Sequence, residues 1–218
     1  MRDPNTWCAI YLVCLLLTGY AVAAALTPRR SSIELLGLAA CIGPAVMGAF
    51  LIVISLLGRA PTRITIMGFT LAMLVLLVWG IKRRAKFPRE EEPPRIPIIW
   101  IVIGLGILAT VLYLLINDTA IMPTLEWDAF AIWQLKDKIL TDHALIPKPE
   151  YFYDVNLSYS HLRYPILVPM ISAGSMAMTG YEGDDLAKVP YLLMYLGMAA
   201  DVFSAIRRLA GPAAAVVS

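Results

Sequence analysis

Residues 96–116, IPIIWIVIGLGILATVLYLLI, carry no charged side chain. A hydrocarbon core about 30 Å thick takes about 20 residues of helix to cross, and backbone amides inside it must be bonded within their own segment. A run this long and uniform reads as a membrane-crossing helix, and it sets the measure for the rest of the chain. Comparable runs lie at 8–26, 33–57 and 64–81 before it, and at 164–180 and 188–206 after it. The expected fold is therefore all-α, a polytopic transmembrane helical bundle of about six membrane segments. Residues 1–95 form a three-helix membrane segment that ends in a basic loop. Residues 96–218 form a membrane helix, a polar loop at 117–163 and two further membrane segments.

Composition supports the same solvent. Hydrophobic residues make up 59% of the chain and charged residues 16%, where soluble domains carry about 25% charged residues. The net charge of +2 and the lack of a basic stripe interleaved with aromatics argue against a nucleic-acid partner. Cys8, Cys14 and Cys41 sit inside apolar runs without metal-ligand spacing, and read as buried free thiols.

Orientation follows the positive-inside rule. Lys82, Arg83, Arg84, Lys86, Arg89 and Arg95 form the densest basic cluster, so that loop is expected in the cytoplasm. Arg29 and Arg30 then fall inside, and the amino terminus and residues 117–163 fall outside. Ala21-Val22-Ala23 resembles a signal-peptide cleavage site, but cleavage there would move the basic cluster outside, so a retained first helix is expected. The last third conflicts with the rule. If 164–180 spans, Glu182, Asp184 and Asp185 lie inside and Arg207 and Arg208 outside; a re-entrant or tilted segment removes the conflict.

The polar loop holds the candidate chemistry. Residues 126–141 contain no Gly or Pro and are expected to form a helix lying flat at the interface. At 100° per residue, Asp128, Ile132, Leu135 and Ile139 share its apolar face, while Gln134, Asp137 and Lys138 lie opposite. Asp128 is the anomaly, a carboxylate in an apolar face. It reads either as a base or metal ligand in a wet pocket, or as a helix N-terminal carboxylate satisfying free amides. Tyrosines at 151, 153, 159 and 164 read either as interfacial anchors or as platforms for a sugar ring. Arg163 reads as a phosphate clamp or a snorkelling cation, His161 as a general acid or a surface residue, and Lys136 as a solvated cation or a headgroup contact.

Glu126-Trp127-Asp128, a helix ending near Asp142, and Arg163-Tyr164-Pro165-Ile166-Leu167-Val168-Pro169 together resemble the first outer loop of the GT-C superfamily of membrane glycosyltransferases. That group includes relatives of dolichyl-phosphate-mannose mannosyltransferases and aminoarabinose transferases. The resemblance covers about residues 96–218. Where the family carries an acidic pair, this chain has Asp128-Ala129 with Glu126 two residues earlier, and three additional helices precede the matching one. The resemblance implies transfer of a sugar from a polyprenyl-phosphate donor to an acceptor at the outer face of a multi-pass protein of the bacterial inner (plasma) membrane. It makes Asp128 the catalytic carboxylate. Glu126, Trp127, Lys136, His161, Arg163 and Tyr164 become substrate-binding residues, a lipid-linked sugar donor and membrane lipid the partners, and a divalent metal a candidate cofactor. It also implies that the family's later helices lie beyond this chain, so that the chain is the front part of the enzyme. The alternative is a non-enzymatic membrane scaffold or transporter subunit, in which Asp128 is structural and the aromatic loop an anchor.

Overall fold

The first three helices each start where a polar side chain satisfies free amides of the first turn. Asp3 accepts from the amides of Asn5 and Thr6 ahead of α1 (Pro4–Leu26), with Pro4 in the first turn. Ser31 and Glu34 form a reciprocal capping box at the start of α2 (Ser32–Leu56). Thr62 accepts from the amide of Thr65 at the start of α3 (Arg63–Arg84). The computed structural model describes residues 3–27, 31–87, 97–117 and 129–211. Among them the chain is helical and has no strand. It continues through α4 (Ile98–Ile116), a π-helical stretch (Ala129–Gln134), α5 (Leu135–Asp142), two short 3-10 turns (Glu150–Phe152 and Val155–Ser160), α6 (Leu167–Thr179) and α7 (Asp184–Ala210).

α1, α2, α3, α4 and α7 are long and apolar enough to cross a membrane; the chain is an integral membrane protein. α1 and α2 cross at small residues. A Cβ placed on Gly43 would overlap the carbonyl oxygen of Leu15, and one placed on Gly19 would overlap that of Ala39. Lipid tails are as apolar as leucine, so helices in a bilayer associate through such close packing. Beside this crossing, Tyr11, Leu15, Met47, Leu51, Leu140 and Met170 form the buried core. α4 buries no residue against the rest of the described chain.

The bundle has two chemically distinct ends. At one, Arg83 donates to the Ala25 carbonyl at 2.7 Å and Arg84 to the Tyr20 hydroxyl at 3.1 Å. There too Arg208 grips Glu34 through two contacts of 2.8 and 2.9 Å, tying the end of α7 to the start of α2. The other end holds the loop. Arg63 donates to the Met178 and Thr179 carbonyls at 2.6 and 2.9 Å, its guanidinium lying 4.5 Å from the centre of the Trp7 ring. A cation there suits the negative end of the α6 dipole, and Gly180 closes that helix at φ +67°, where side chains are strained.

α6 resolves the charge conflict. Leu167 and Ile171 pack on Gly48, eight residues before the end of α2, so α6 begins about 12 Å inside the bundle at 1.5 Å per residue. Its far end lies against Arg63 at the loop end. With 13 residues it spans only about 20 Å: the chain dips in and comes back out. α7 therefore starts at the loop end and brings Arg207 and Arg208 to the basic end, while Asp184 and Asp185 stay with the loop. The about six membrane segments of the sequence become five spans and one re-entrant helix.

Replacing Arg63 by Met keeps the stem but removes both bonds to the last α6 carbonyls. An average charge-assisted bond contributes about 1.5–3 kcal/mol, and Arg63 is only partly buried, so Arg63→Met should cost about 1–2 kcal/mol. Hydrogen exchange should rise first at residues 178–181; unchanged protection there would show that the cap is dispensable.

Candidate functional site

The loop end is built by a segment that enters the bundle instead of lying on it. Leu140 of α5 belongs to the core, Thr141 reaches the Met176 sulfur at 3.6 Å, and the Leu145 amide donates to the Ser55 hydroxyl at 2.8 Å. α5 thus climbs beside α6 toward the loop end. Of the helix expected at 126–141, the stretch Leu135–Asp142 packs along α6 and puts Leu140 into the core; residues 126–128 lie outside the described ones.

The register is corrected. The buried positions are Ala131, Ile132, Lys136, Asp137 and Leu140, where 3.6-residue periodicity expects Ile132, Leu135 and Ile139 with Leu140 beside them. The π-helical turns of Ala129–Gln134 hold more residues per turn than an α-helix, so everything downstream moves on by one position. Lys136 and Asp137, expected on the solvated side, go inside.

Lys136 is fully enclosed. Its ammonium donates to the His161 carbonyl at 2.7 Å and lies 5.7 Å from the centre of the Trp133 ring and 5.5 Å from that of Tyr164. Burial pushes this lysine below its ordinary value. It braces the turn from behind and is not among the residues that line the cavity. His161 sits in the left-handed region at φ 49°, a conformation uncommon for a residue with a Cβ and often found at functional sites. The turn that follows is closed by the Tyr164 amide on the His161 carbonyl at 2.9 Å, and the two rings stack 4.6 Å apart. One carbonyl therefore accepts both the buried ammonium and the turn amide.

In front of this turn lies a cavity of about 400 Å³, with His161, Arg163 and Tyr164 on one wall and Tyr153, Asp154 and Ser158 on the other. The far wall is braced by the Tyr151 hydroxyl on Ser160 at 2.7 Å. Arg163 is exposed and has no ion-pair partner among the described residues. An exposed guanidinium, an imidazole and two phenols lining one hollow can bind an anion and a polyhydroxylated ring. Glu126, Trp127 and Asp128 lie outside the described residues. Among those described, no three His, Cys, Asp or Glu side chains are grouped closely enough to hold a metal ion. A second hollow, of about 520 Å³, lies between Pro61–Ile64 and Thr141–Asp142; its arginine, Arg63, is occupied in capping α6.

Asp137 was not singled out by the sequence as a site residue. It is 5% exposed, and its Oδ1 has no hydrogen-bond partner among the described residues. Burial pushes its carboxyl up to about 8, with the Ser172 hydroxyl beside it acting the other way. The sequence carried one signal, a Lys136-Asp137 pair set between Trp133 and Leu140, but helical periodicity alone leaves Asp137 on the polar side. No family model matches this chain, and no curated protein or solved structure matches it either.

Proposed function

We propose that this protein takes part in transferring a sugar from a polyprenyl-phosphate donor to an acceptor hydroxyl at the outer face of the membrane. The observation that carries the proposal is the cavity of about 400 Å³ walled by His161, Arg163 and Tyr164, set in a loop that folds into the end of the bundle opposite the basic one. The positive-inside rule puts that end outside the cytoplasm, and a bacterial inner membrane fits a polyprenyl carrier. Arg163 holds the phosphate, Tyr153 and Tyr164 face the sugar, and Asp128, outside the described residues, serves as the base. In the transfer the bond from the anomeric carbon to the phosphate oxygen breaks, and a bond to the acceptor oxygen forms. The acceptor proton passes to Asp128, and polyprenyl phosphate leaves on Arg163.

General-base assistance contributes about 10²–10⁴-fold. With membranes containing the full-length protein and a labelled polyprenyl-phosphate sugar, Asp128→Asn should lower transfer by at least about 100-fold, and Arg163→Ala should weaken donor use. Undiminished transfer by Asp128→Asn removes that residue from the mechanism. The scaffold or transporter-subunit reading draws on α4, an apolar helix that buries nothing within the described chain. It predicts no transfer by the wild type with any polyprenyl-phosphate sugar.

A further inference from the structure

Asp137 faces a hydrogen-bonded series that leads out of the core. Ser172 of α6 and Tyr191 of α7 share a hydrogen bond of 2.5 Å, and the Tyr191 hydroxyl donates to the Val168 carbonyl at 2.9 Å. Each hydroxyl has one hydrogen. Tyr191 has given its own to Val168, so the hydrogen between Tyr191 and Ser172 comes from Ser172. Ser172 has one hydrogen and two oxygens to serve, Tyr191 and the Asp137 carboxyl. While that hydrogen goes to Tyr191, a carboxyl 5% exposed is satisfied when it supplies a hydrogen itself, as the neutral acid.

Among the described residues, the elements around it offer no charge that would hold the ionised form. The π-helical stretch and α6 contain no titratable residue. From α7 the facing group is Tyr191, while Lys188 lies 3.8 Å from Asp184. From α1 the nearby group is Tyr11, whose hydroxyl donates to the Ile171 carbonyl at 3.0 Å. Lys136, next along α5, is directed to the His161 carbonyl, and Lys138 and Asp142 of the same helix are exposed.

We propose that Asp137 is a proton-binding site, filled while α5 is packed, and that losing the proton reverses the Ser172–Tyr191 series and loosens the start of α6 beside the cavity. With Asp137 ionised, the Ser172 hydroxyl turns to the carboxylate and the Tyr191 hydroxyl turns to Ser172. The Val168 carbonyl loses its tyrosine donor. Val168 is four residues beyond Tyr164, so the change reaches the cavity wall through Pro165 and the first turn of α6. This inference does not depend on what the cavity binds. The upward displacement of the carboxyl to about 8 by burial places the switch within reach of ordinary pH.

Two measurements on the purified full chain in lipid nanodiscs test it. Infrared difference spectra between about pH 6 and about pH 10, bracketing that value, should show a protonated carboxyl band lost on the alkaline side. Asp137→Asn should lack the band. Hydrogen exchange at residues 166–172, corrected for its intrinsic pH dependence, should step up several-fold over the same range. Tyr191→Phe should keep the band and lose the step. A wild type with no such band, or a band that survives in Asp137→Asn, overturns the proton site; a step that persists in Tyr191→Phe overturns the relay. Should Asp137→Asn not fold, Asp137→Glu keeps an acid on a longer arm. A band unshifted by that change would belong to another residue, and the proposal would fall.

Discussion

A single methyl group added at Gly43 is expected to separate α1 from α2. The new Cβ would overlap the Leu15 carbonyl oxygen, and backbone cannot swing aside as a side chain can. The matching Cβ on Gly19 would stand 2.7 Å from the Gly43 nitrogen, so each helix fits into a gap left by the other's missing side chain. Relief requires the helices to move apart along their shared face, which loosens Tyr11, Leu15 and Met47 in the core together. No hydrophobic force restores the contact in lipid, because the separated faces meet acyl chains as apolar as themselves. Overpacking costs about 1–3 kcal/mol where side chains can adjust, and a clash with backbone should exceed about 3 kcal/mol. Gly43→Ala should therefore lose most of its folded yield in mild detergent, with a lowered unfolding midpoint. Gly68→Ala and Gly106→Ala, where a Cβ meets nothing within 4 Å, should be neutral or slightly stabilising from helix propensity. Equal behaviour of all three variants would mean that α1 and α2 do not rely on this close crossing.

The glycine crossing was illegible in the sequence, and the spans were not, because the two obey different rules. Lipid sets a length that uninterrupted apolar residues must meet, so α1 to α4 and α7 appear close to the expected 8–26, 33–57, 64–81, 96–116 and 188–206. A re-entrant helix meets the same solvent with fewer residues, and apolarity does not distinguish it from a span. What betrayed α6 was charge: Glu182, Asp184 and Asp185 around the start of α7, and Arg207 and Arg208 at its end, sit correctly only if 164–180 turns back. His161, Arg163 and Tyr164 were found together because they are neighbours in one turn. Lys136 joins them from 25 residues away, and its inward direction depends on π-helical turns that shift the register by one residue. Composition offers no marker for that shift. Asp137 was assigned to the solvated side for the same reason.

Removing the Asp137 charge should make the protein more stable and its stability less sensitive to pH. In an unfolded chain this carboxyl ionises near its ordinary value of 3.8, and burial in the folded protein pushes it up to about 8. Between those values the folded state holds one proton more than the unfolded state, so raising the pH favours unfolding. The penalty is absent below about pH 4, grows by about 1.4 kcal/mol for each pH unit, and is fully developed above about pH 8. The sign is opposite to that of a salt-bridged carboxylate, whose contribution disappears on acidification. Asp137→Asn has nearly the same shape and no charge to bury, so the wild-type loss over this interval should be missing from the variant. At neutral pH the variant should gain about 2–4 kcal/mol. Denaturant or thermal midpoints measured from about pH 4 to about pH 9 in one detergent provide the comparison. The informative quantity is the difference between wild type and variant, since every other titrating group cancels in it. Asp142→Asn, an exposed carboxylate on the same helix, serves as the control and should follow the wild type throughout. A wild-type-minus-variant difference that stays constant with pH would place the Asp137 carboxylate in contact with water or a cation, and the buried acid between α5, α6 and α7 would have to be abandoned.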